Sequence, residues 1–344
     1  MKVCICGDVH WSEFSSIIRK QGNKYSSRLE NLINSVSWVE SLAEKNNCDL
    51  IVYLGDFFDK AELNSPEITA LNEIKWSSKS KKFIVGNHEM YSTDLILNSA
   101  NILNLSAKAE IITQPRIIED SDTNFYFLPY ILEAQRKPFS EYVQKSSKIN
   151  IVFAHSDIAG IQMGRFKSDV GFSVEEISDS CDLFINGHLH NGTEISSKII
   201  NVGNITGQNF SEDAFNYEHH AIVLDTQQKS LQYYENPYAF NFYKLDFRNI
   251  TLEEIHNCLS KLKPNAVVSI NIMQDKLEKV KQLVKENNNI SESRITINLL
   301  SENTINSSVE LVQVDHIQKF NEFVLQTLGN NYIVQDELKS ICLN

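Results

Sequence analysis

Short apolar runs alternate with amphipathic stretches through the first two thirds of the chain. Residues 2–6 (KVCIC) and 50–54 (LIVYL) are continuous apolar runs of strand length, and 83–85, 125–128, 149–154 and 183–186 continue the series. Such runs suit strands buried on both faces. Between the first two, Leu29, Leu32, Ile33, Val36, Val39 and Leu42 recur at three- and four-residue intervals, which predicts one buried face of a helix. Another helix is expected over 64–77, opening at Ser65-Pro66 where proline suits the first turn, and further helical patterns lie near 92–103 and 131–145. From residue 198 the pattern turns to strands alone, at 198–204 (KIINVGN), 219–225 (HHAIVLD) and 231–235 (LQYYE). A βαβ beginning and a hairpin ending predict an α/β fold built as a two-sheet sandwich over residues 1–245.

Beyond a boundary at 245–250 the periodicity predicts helix 251–262, strand 266–272, helix 275–286 and strand 294–299, a small α+β unit over 246–300. The Ser/Asn-rich stretch that follows has little to bury and reads as a linker, 301–314. Asp315 then caps a predicted helix carrying Ile317, Phe320, Phe323, Val324 and Leu328, ended by Gly329, and a second short helix is expected at 335–343. The segment 315–344 is therefore expected to be helical.

Composition narrows the classes. With 42% hydrophobic and 22% charged residues among 344, the chain can bury a sizeable core. No apolar run approaches the ~20 residues of a membrane helix, and residues 1–7 do not resemble a secretory leader. Cysteines at 4, 6, 48, 181, 258 and 342 lack paired spacing, which suits a reducing, cytoplasmic setting. Cys4 and Cys6 share one face of a strand, and core packing is the expected role rather than zinc. The formal charge is −12, with 32 Lys+Arg against 44 Asp+Glu, and −10 of it falls before residue 241. That balance argues against simple electrostatic attraction to nucleic acid.

The chemistry lies at the strand ends, where α/β folds place ligands. The first run ends in Gly7-Asp8-Val9-His10, the second in Gly55-Asp56-Phe57-Phe58-Asp59, and the third in Gly86-Asn87-His88-Glu89. Later runs end in Ala154-His155-Ser156 and Gly187-His188-Leu189-His190. Alone, any one of these Asp or His residues would more often cap a loop. Together, oxygen and imidazole donors without cysteine suit Mn²⁺, Fe²⁺ or Zn²⁺, and there are enough of them for two ions sharing a carboxylate.

This series resembles the calcineurin-like metallophosphoesterase superfamily. The resemblance implies that Asp8, His10, Asp56 and His190 hold one divalent metal ion and that Asp56, Asn87, His155 and His188 hold a second. Mn²⁺ is the expected ion, with Mg²⁺, Fe²⁺ and Zn²⁺ as alternatives. It also implies that His88 acts as a catalytic residue beside the scissile phosphate rather than as a ligand. GDFFDK lacks the Asp-Arg-Gly ending of the Ser/Thr phosphatase branch. Length, the AHSDIAG segment and the strand-rich finish resemble instead the SbcD-like nuclease subunits of double-strand-break repair, in the style of their T-even phage members. The implied activity is metal-dependent 3′→5′ exonuclease and single-strand endonuclease action on DNA. The implied partner is an SbcC-like coiled-coil ABC-type ATPase, gripped by residues 315–344, in a heterotetramer built on a homodimer, with 246–300 as a capping domain. A phage-encoded member would work in the host cytoplasm. Members from cells often carry His where this chain has Asp59. The alternatives are a stand-alone phosphodiesterase or phosphatase for a nucleotide or other small phosphoester, and a non-catalytic scaffold, which the complete donor set disfavours.

Several other residues have two readings. Arg19, Lys20, Lys24 and Arg28 follow the first motif and could contact DNA phosphates, or could line a solvated loop and helix face. Arg165 and Lys167, after His155, are further candidate DNA contacts. Lys79, Lys81 and Lys82 are expected in a solvated turn, and His219 and His220 as a surface pair. The patterns at 64–77 and 92–103 fit either a dimer interface, as in SbcD-like proteins, or packing on the chain's own sheet.

Overall fold

A computed structural model describes residues 1–18, 22–163 and 166–298. Two six-stranded sheets form its centre. The first runs in the order Ser230–Glu235, His220–Asp225, Lys2–Cys6, Leu50–Tyr53, Ser80–Ile84, Glu110–Ile112. The second runs Thr193–Ser196, Ile199–Asn201, Leu183–Asn186, Ile149–Ala154, Thr123–Leu128, Arg116–Glu119. The strands that end in the motifs are mutually parallel within each sheet, so their C-terminal ends gather at one edge.

Period two explains the layering. Val3 and Ile5 face the second sheet, packing with Val52, Phe125, Phe153 and Ile185. Cys4 and Cys6 face the other way, among Leu29, Leu32, Val36 and Val39 of the helix Ser27–Lys45. Both cysteines are fully buried, as core packing requires. On the outer face of the second sheet, Val152 and Phe184 pack with Phe139, Phe172 and Ile177. The result is the expected two-sheet α/β sandwich.

Three helical expectations need correction. Asn64 and Glu67 form a reciprocal capping box ahead of Ser65–Ala70, but the backbone tightens to a 3₁₀ turn at Leu71–Glu73 and extends at Ile74. Residues 92–98 are not helical; the polar side chains there compete for the backbone, Asp94 accepting from Ile96 N and Ser92 Oγ from Leu97 N. Only Ser99–Ile102 (3₁₀) and Leu103–Ser106 are helical in that region. Over 131–145, Pro138 separates a 3₁₀ turn at Glu133–Gln135 from the single turn Phe139–Tyr142.

A third, parallel sheet orders Asn241–Asp246, Ala266–Met273 and Ile290–Asn298, with the helices Leu252–Leu259 and Leu277–Glu286 packed on it through Ile255, Leu259, Val280 and Val284. Its first strand begins upstream of the boundary expected at 245. The expected linker 301–314 and helical segment 315–344 lie outside the described residues. No helix among those described is long and apolar enough to cross a membrane.

Candidate metal centre

The turns leaving the parallel strands hold three candidate residues in left-handed backbone conformations: His10 (φ 49°), Asp56 (φ 46°) and His188 (φ 72°). Side-chain-bearing residues adopt this region at a cost and concentrate at functional sites when they do. Close approach explains two of the glycines. A Cβ on Gly86 would collide with the Asp56 carboxylate and backbone nitrogen, and one on Gly187 would lie 2.6 Å from Asp8 Oδ1.

Backbone amides decide which carboxylate oxygens face the centre. His188 N donates to Asp8 Oδ1 at 3.0 Å and His88 N donates to Asp56 Oδ1 at 3.0 Å. Asp8 Oδ2 is left buried without a hydrogen-bond partner. Asp56 Oδ2 lies 3.2 Å from His155 Nε2 and 3.9 Å from His10 Nε2, between the two groups of donors.

The histidine rings are oriented from behind. His10 Nδ1 donates to Asp59 Oδ1 (3.1 Å), His155 Nδ1 to Leu54 O (2.8 Å) and His190 Nδ1 to Glu212 Oε1 (3.3 Å), so each presents Nε2. His188 is turned around: its Nε2 donates to Asp157 Oδ1 at 2.9 Å and its Nδ1 faces inward. There it lies 3.1 Å from Asn87 Oδ1 and 3.2 Å from His155 Nε2, and His155 Nε2 is 3.1 Å from the same Asn87 oxygen.

Two sets of donors converge in this way, Asp8–His10–His190 and Asp56–His155–His188, each with its ligand atoms within 4.8 Å of one another. Asn87 faces the second set, and His88 lies within the same range of His10 and Asp56. The fit to metal is chemical as well as spatial. Asp8 Oδ2 and His10 Nε2 are buried polar atoms with no hydrogen-bond partner among the described residues, and mixed oxygen and imidazole donors suit divalent ions of the Mn²⁺ and Zn²⁺ kind. Asp8, His10, Asp56 and His155 are buried, whereas the His88 side chain is 39% exposed at the rim.

Electrostatics bind the cluster together. Burial would push the Asp56 carboxyl up, yet His155 and His10 hold it well below the usual range. Burial would pull His155 down, and Asp56 and Asp8 instead raise it to about 10. Glu89, fully buried, is pushed up to about 8 by burial and by Asp56. Its carboxylate accepts from Gly86 N (2.8 Å), Asp56 N (3.1 Å) and Phe58 N (2.8 Å), tying the second and third motif loops together.

The charged residues read from sequence as DNA contacts separate. Arg28 is buried, and its guanidinium donates to Gly207 O (2.9 Å) and His10 O (3.5 Å), so it braces the site from within rather than facing solvent. Lys24 is exposed and paired with Glu73. Lys167 is exposed on the short ribbon after His155. Arg19, Lys20 and Arg165 lie outside the described residues. Lys81 and Lys82 are not solvated: both are buried, with Glu40 and Glu110 as partners. His219 is likewise buried, donating from Nδ1 to Asn204 O at 3.0 Å, so the expected surface pair is not formed. Sequence reasoning gave no role to Glu89, Asp157 or Glu212. Asp157 is two residues beyond His155, but nothing local to Glu212 points to His190.

No curated protein matches the sequence. A dimetal phosphatase from Danio rerio aligns at 12% identity with a TM-score of 0.40, covering 65% of this chain and 91% of its own. A Thermus thermophilus protein aligns at 9% identity and TM-score 0.40, covering 68% and 98%. A metallophosphoesterase from Sphaerobacter thermophilus aligns at 14% identity and TM-score 0.31, covering 68% and 87%. The profile of the calcineurin-like phosphoesterases matches residues 1–192, which takes in the five strand-end motifs and more than half of the sequence. The chain therefore belongs to the calcineurin-like phosphoesterase family.

Proposed function

We propose that this phosphoesterase is a metal-dependent DNA nuclease of the SbcD-like kind, with 3′→5′ exonuclease and single-strand endonuclease activity. The supporting observation is the buried donor cluster with a partly exposed His88 (39%) beside it, together with exposed aromatics that follow the first and third motifs in sequence, Phe14 (76%) and Tyr91 (67%). Exposed aromatic faces suit stacking of unpaired bases, which is sequence-tolerant.

Asp8, His10 and His190 would hold one divalent ion and Asn87, His155 and His188 the other, with Asp56 serving both. Two such ions activate water and neutralise charge on the phosphoryl oxygens. The chain's own contribution is orientation and proton management. His88 Nδ1 donates to Asp59 O at 2.9 Å, which fixes the ring and leaves Nε2 to give a proton to the departing sugar oxygen. Asp59 Oδ1 lies 3.8 Å from the same nitrogen and accepts from His10 Nδ1. The α+β unit is read as a cap, and residues 315–344 as the contact with a coiled-coil ABC-type ATPase in a heterotetramer.

The test is hydrolysis by the purified full chain with Mn²⁺ or Mg²⁺. Circular single-stranded DNA, end-labelled duplexes and hairpins are compared with an aryl phosphodiester and mononucleotides. Shortening of labelled 3′ ends and nicking of the circle are expected. Turnover of the small esters with every DNA left intact would overturn the reading in favour of a small-molecule phosphodiesterase.

A further inference from the structure

The loop following the strand Ile199–Asn201 lies beyond the family match, yet it supplies the carboxylate behind His190. The Glu212 side chain is 1% exposed. Its Oε1 accepts from His190 Nδ1 and from Asn209 Nδ2 (3.4 Å), and its Oε2 from Gln208 N (2.9 Å). The same loop is anchored by Arg28, which spans Gly207 O and His10 O. One buried guanidinium thus ties the backbone carrying His10 to the backbone aiming His190. His188 is held by a separate carboxylate, Asp157, from the segment after His155.

We propose that Glu212 is a positioning residue for one metal position only: it holds His190 with Nε2 inward and thereby sets metal affinity at Asp8–His10–His190, leaving Asp56–Asn87–His155–His188 to Asp157. The proposal rests on the two-metal reading above, but not on DNA as the substrate. A carboxylate behind a ligating imidazole fixes its tautomer and raises its basicity, and loss of such a partner weakens metal binding by about 10–100-fold.

The experiment is Mn²⁺ titration of the metal-stripped full chain by calorimetry, with electron paramagnetic resonance at one and two equivalents. The wild-type chain is expected to take two ions that give a spin-coupled signal. Glu212→Gln should weaken one position by about 10–100-fold and leave the other within about twofold, with an uncoupled six-line signal at one equivalent. In a His190→Ala background, Glu212→Gln should add nothing, whereas with His188→Ala its effect should persist. Two wild-type affinities in Glu212→Gln, equal weakening of both positions, a full added loss on His190→Ala, or a single site in the wild type would each overturn the proposal. If Glu212→Gln does not fold, Glu212→Asp decides, since it keeps the charge but shortens the reach. Selective weakening supports the proposal, and two unchanged sites refute it. Metal occupancy is read without any DNA, so a chain with two wild-type sites that cleaves no DNA would sink the nuclease reading alone.

Discussion

At the scale of single residues, the role proposed for His88 separates catalysis from metal binding. Its ring packs edge-on against His10 at 4.7 Å, and its Nδ1 is already committed to Asp59 O. Replacing His88 with alanine is expected to lower turnover by about 10²–10⁴-fold, the range for losing a general acid, with two Mn²⁺ still bound by calorimetry. Loss of one ion together with activity would make His88 a ligand, which its approach to His10 and Asp56 within 4.8 Å allows sterically. The strand-end residues were legible in the sequence because each stands where an apolar run stops, and in every motif but that of His155 a glycine lies alongside. The acids that aim them were not. Asp59 and Asp157 sit near ligands in sequence, but Glu212 reaches a histidine 22 positions away and Glu89 works through three backbone amides. Arg28 was misread because an arginine at the start of an amphipathic helix usually faces water. Here carbonyl oxygens from two distant loops replace that water.

At the scale of elements, the site depends on parallel strands kept in register by the helix laid across them. The helix Ser27–Lys45 grips the sheet through polar as well as apolar contacts. Glu40, fully buried, accepts from Tyr53 Oη (2.7 Å), Ser77 N (3.0 Å) and Ser77 Oγ (2.6 Å), and lies 3.5 Å from Lys81 Nζ. Lys81 is the second residue of the strand Ser80–Ile84, which leads into the Asn87-His88 turn. Glu40→Ala leaves that ammonium buried without its carboxylate, so the expected cost is about 3–5 kcal/mol, measured by urea unfolding. Glu40→Leu combined with Lys81→Met should recover much of it, because no charge is then stranded. A loss below about 1 kcal/mol for the single change, within the range of exposed pairs, would show that the pair does not clamp the helix to the sheet. Periodicity disclosed this helix because its apolar face is long. It overstated 92–103, where Leu95, Ala100 and Leu103 are buried as a helix would bury them but Ser92, Asp94 and Asn98 capture the backbone.

At the scale of the whole molecule, the acidic balance has to be reconciled with the proposed nucleic-acid substrate. The net charge before residue 241 is −10, and the centre adds Asp59, Asp157 and Glu212 behind the metal donors. Two divalent ions would bring four positive charges to the donor cluster. Of the basic residues with a phosphate-contact reading, Arg28 is consumed inside the protein and Lys24 is paired with Glu73, whereas Lys167 is exposed and Arg19, Lys20 and Arg165 lie outside the described residues. On the nuclease proposal, affinity for DNA is expected to come mainly from the ions and the exposed aromatics. The expected outcome, with a labelled single strand and the His88→Ala chain followed by fluorescence anisotropy, is weak binding that disappears on chelation. Its salt dependence should correspond to no more than about two neutralised phosphates, since the slope of log K against log salt is about −0.7 per phosphate for single strands. A slope several times steeper, or binding that survives chelation, would mean that lysines and arginines outside the centre carry the DNA. The acidic charge of the isolated chain would then have concealed a localised basic track. If the shallow slope holds, tight engagement of DNA ends requires charge supplied by a partner.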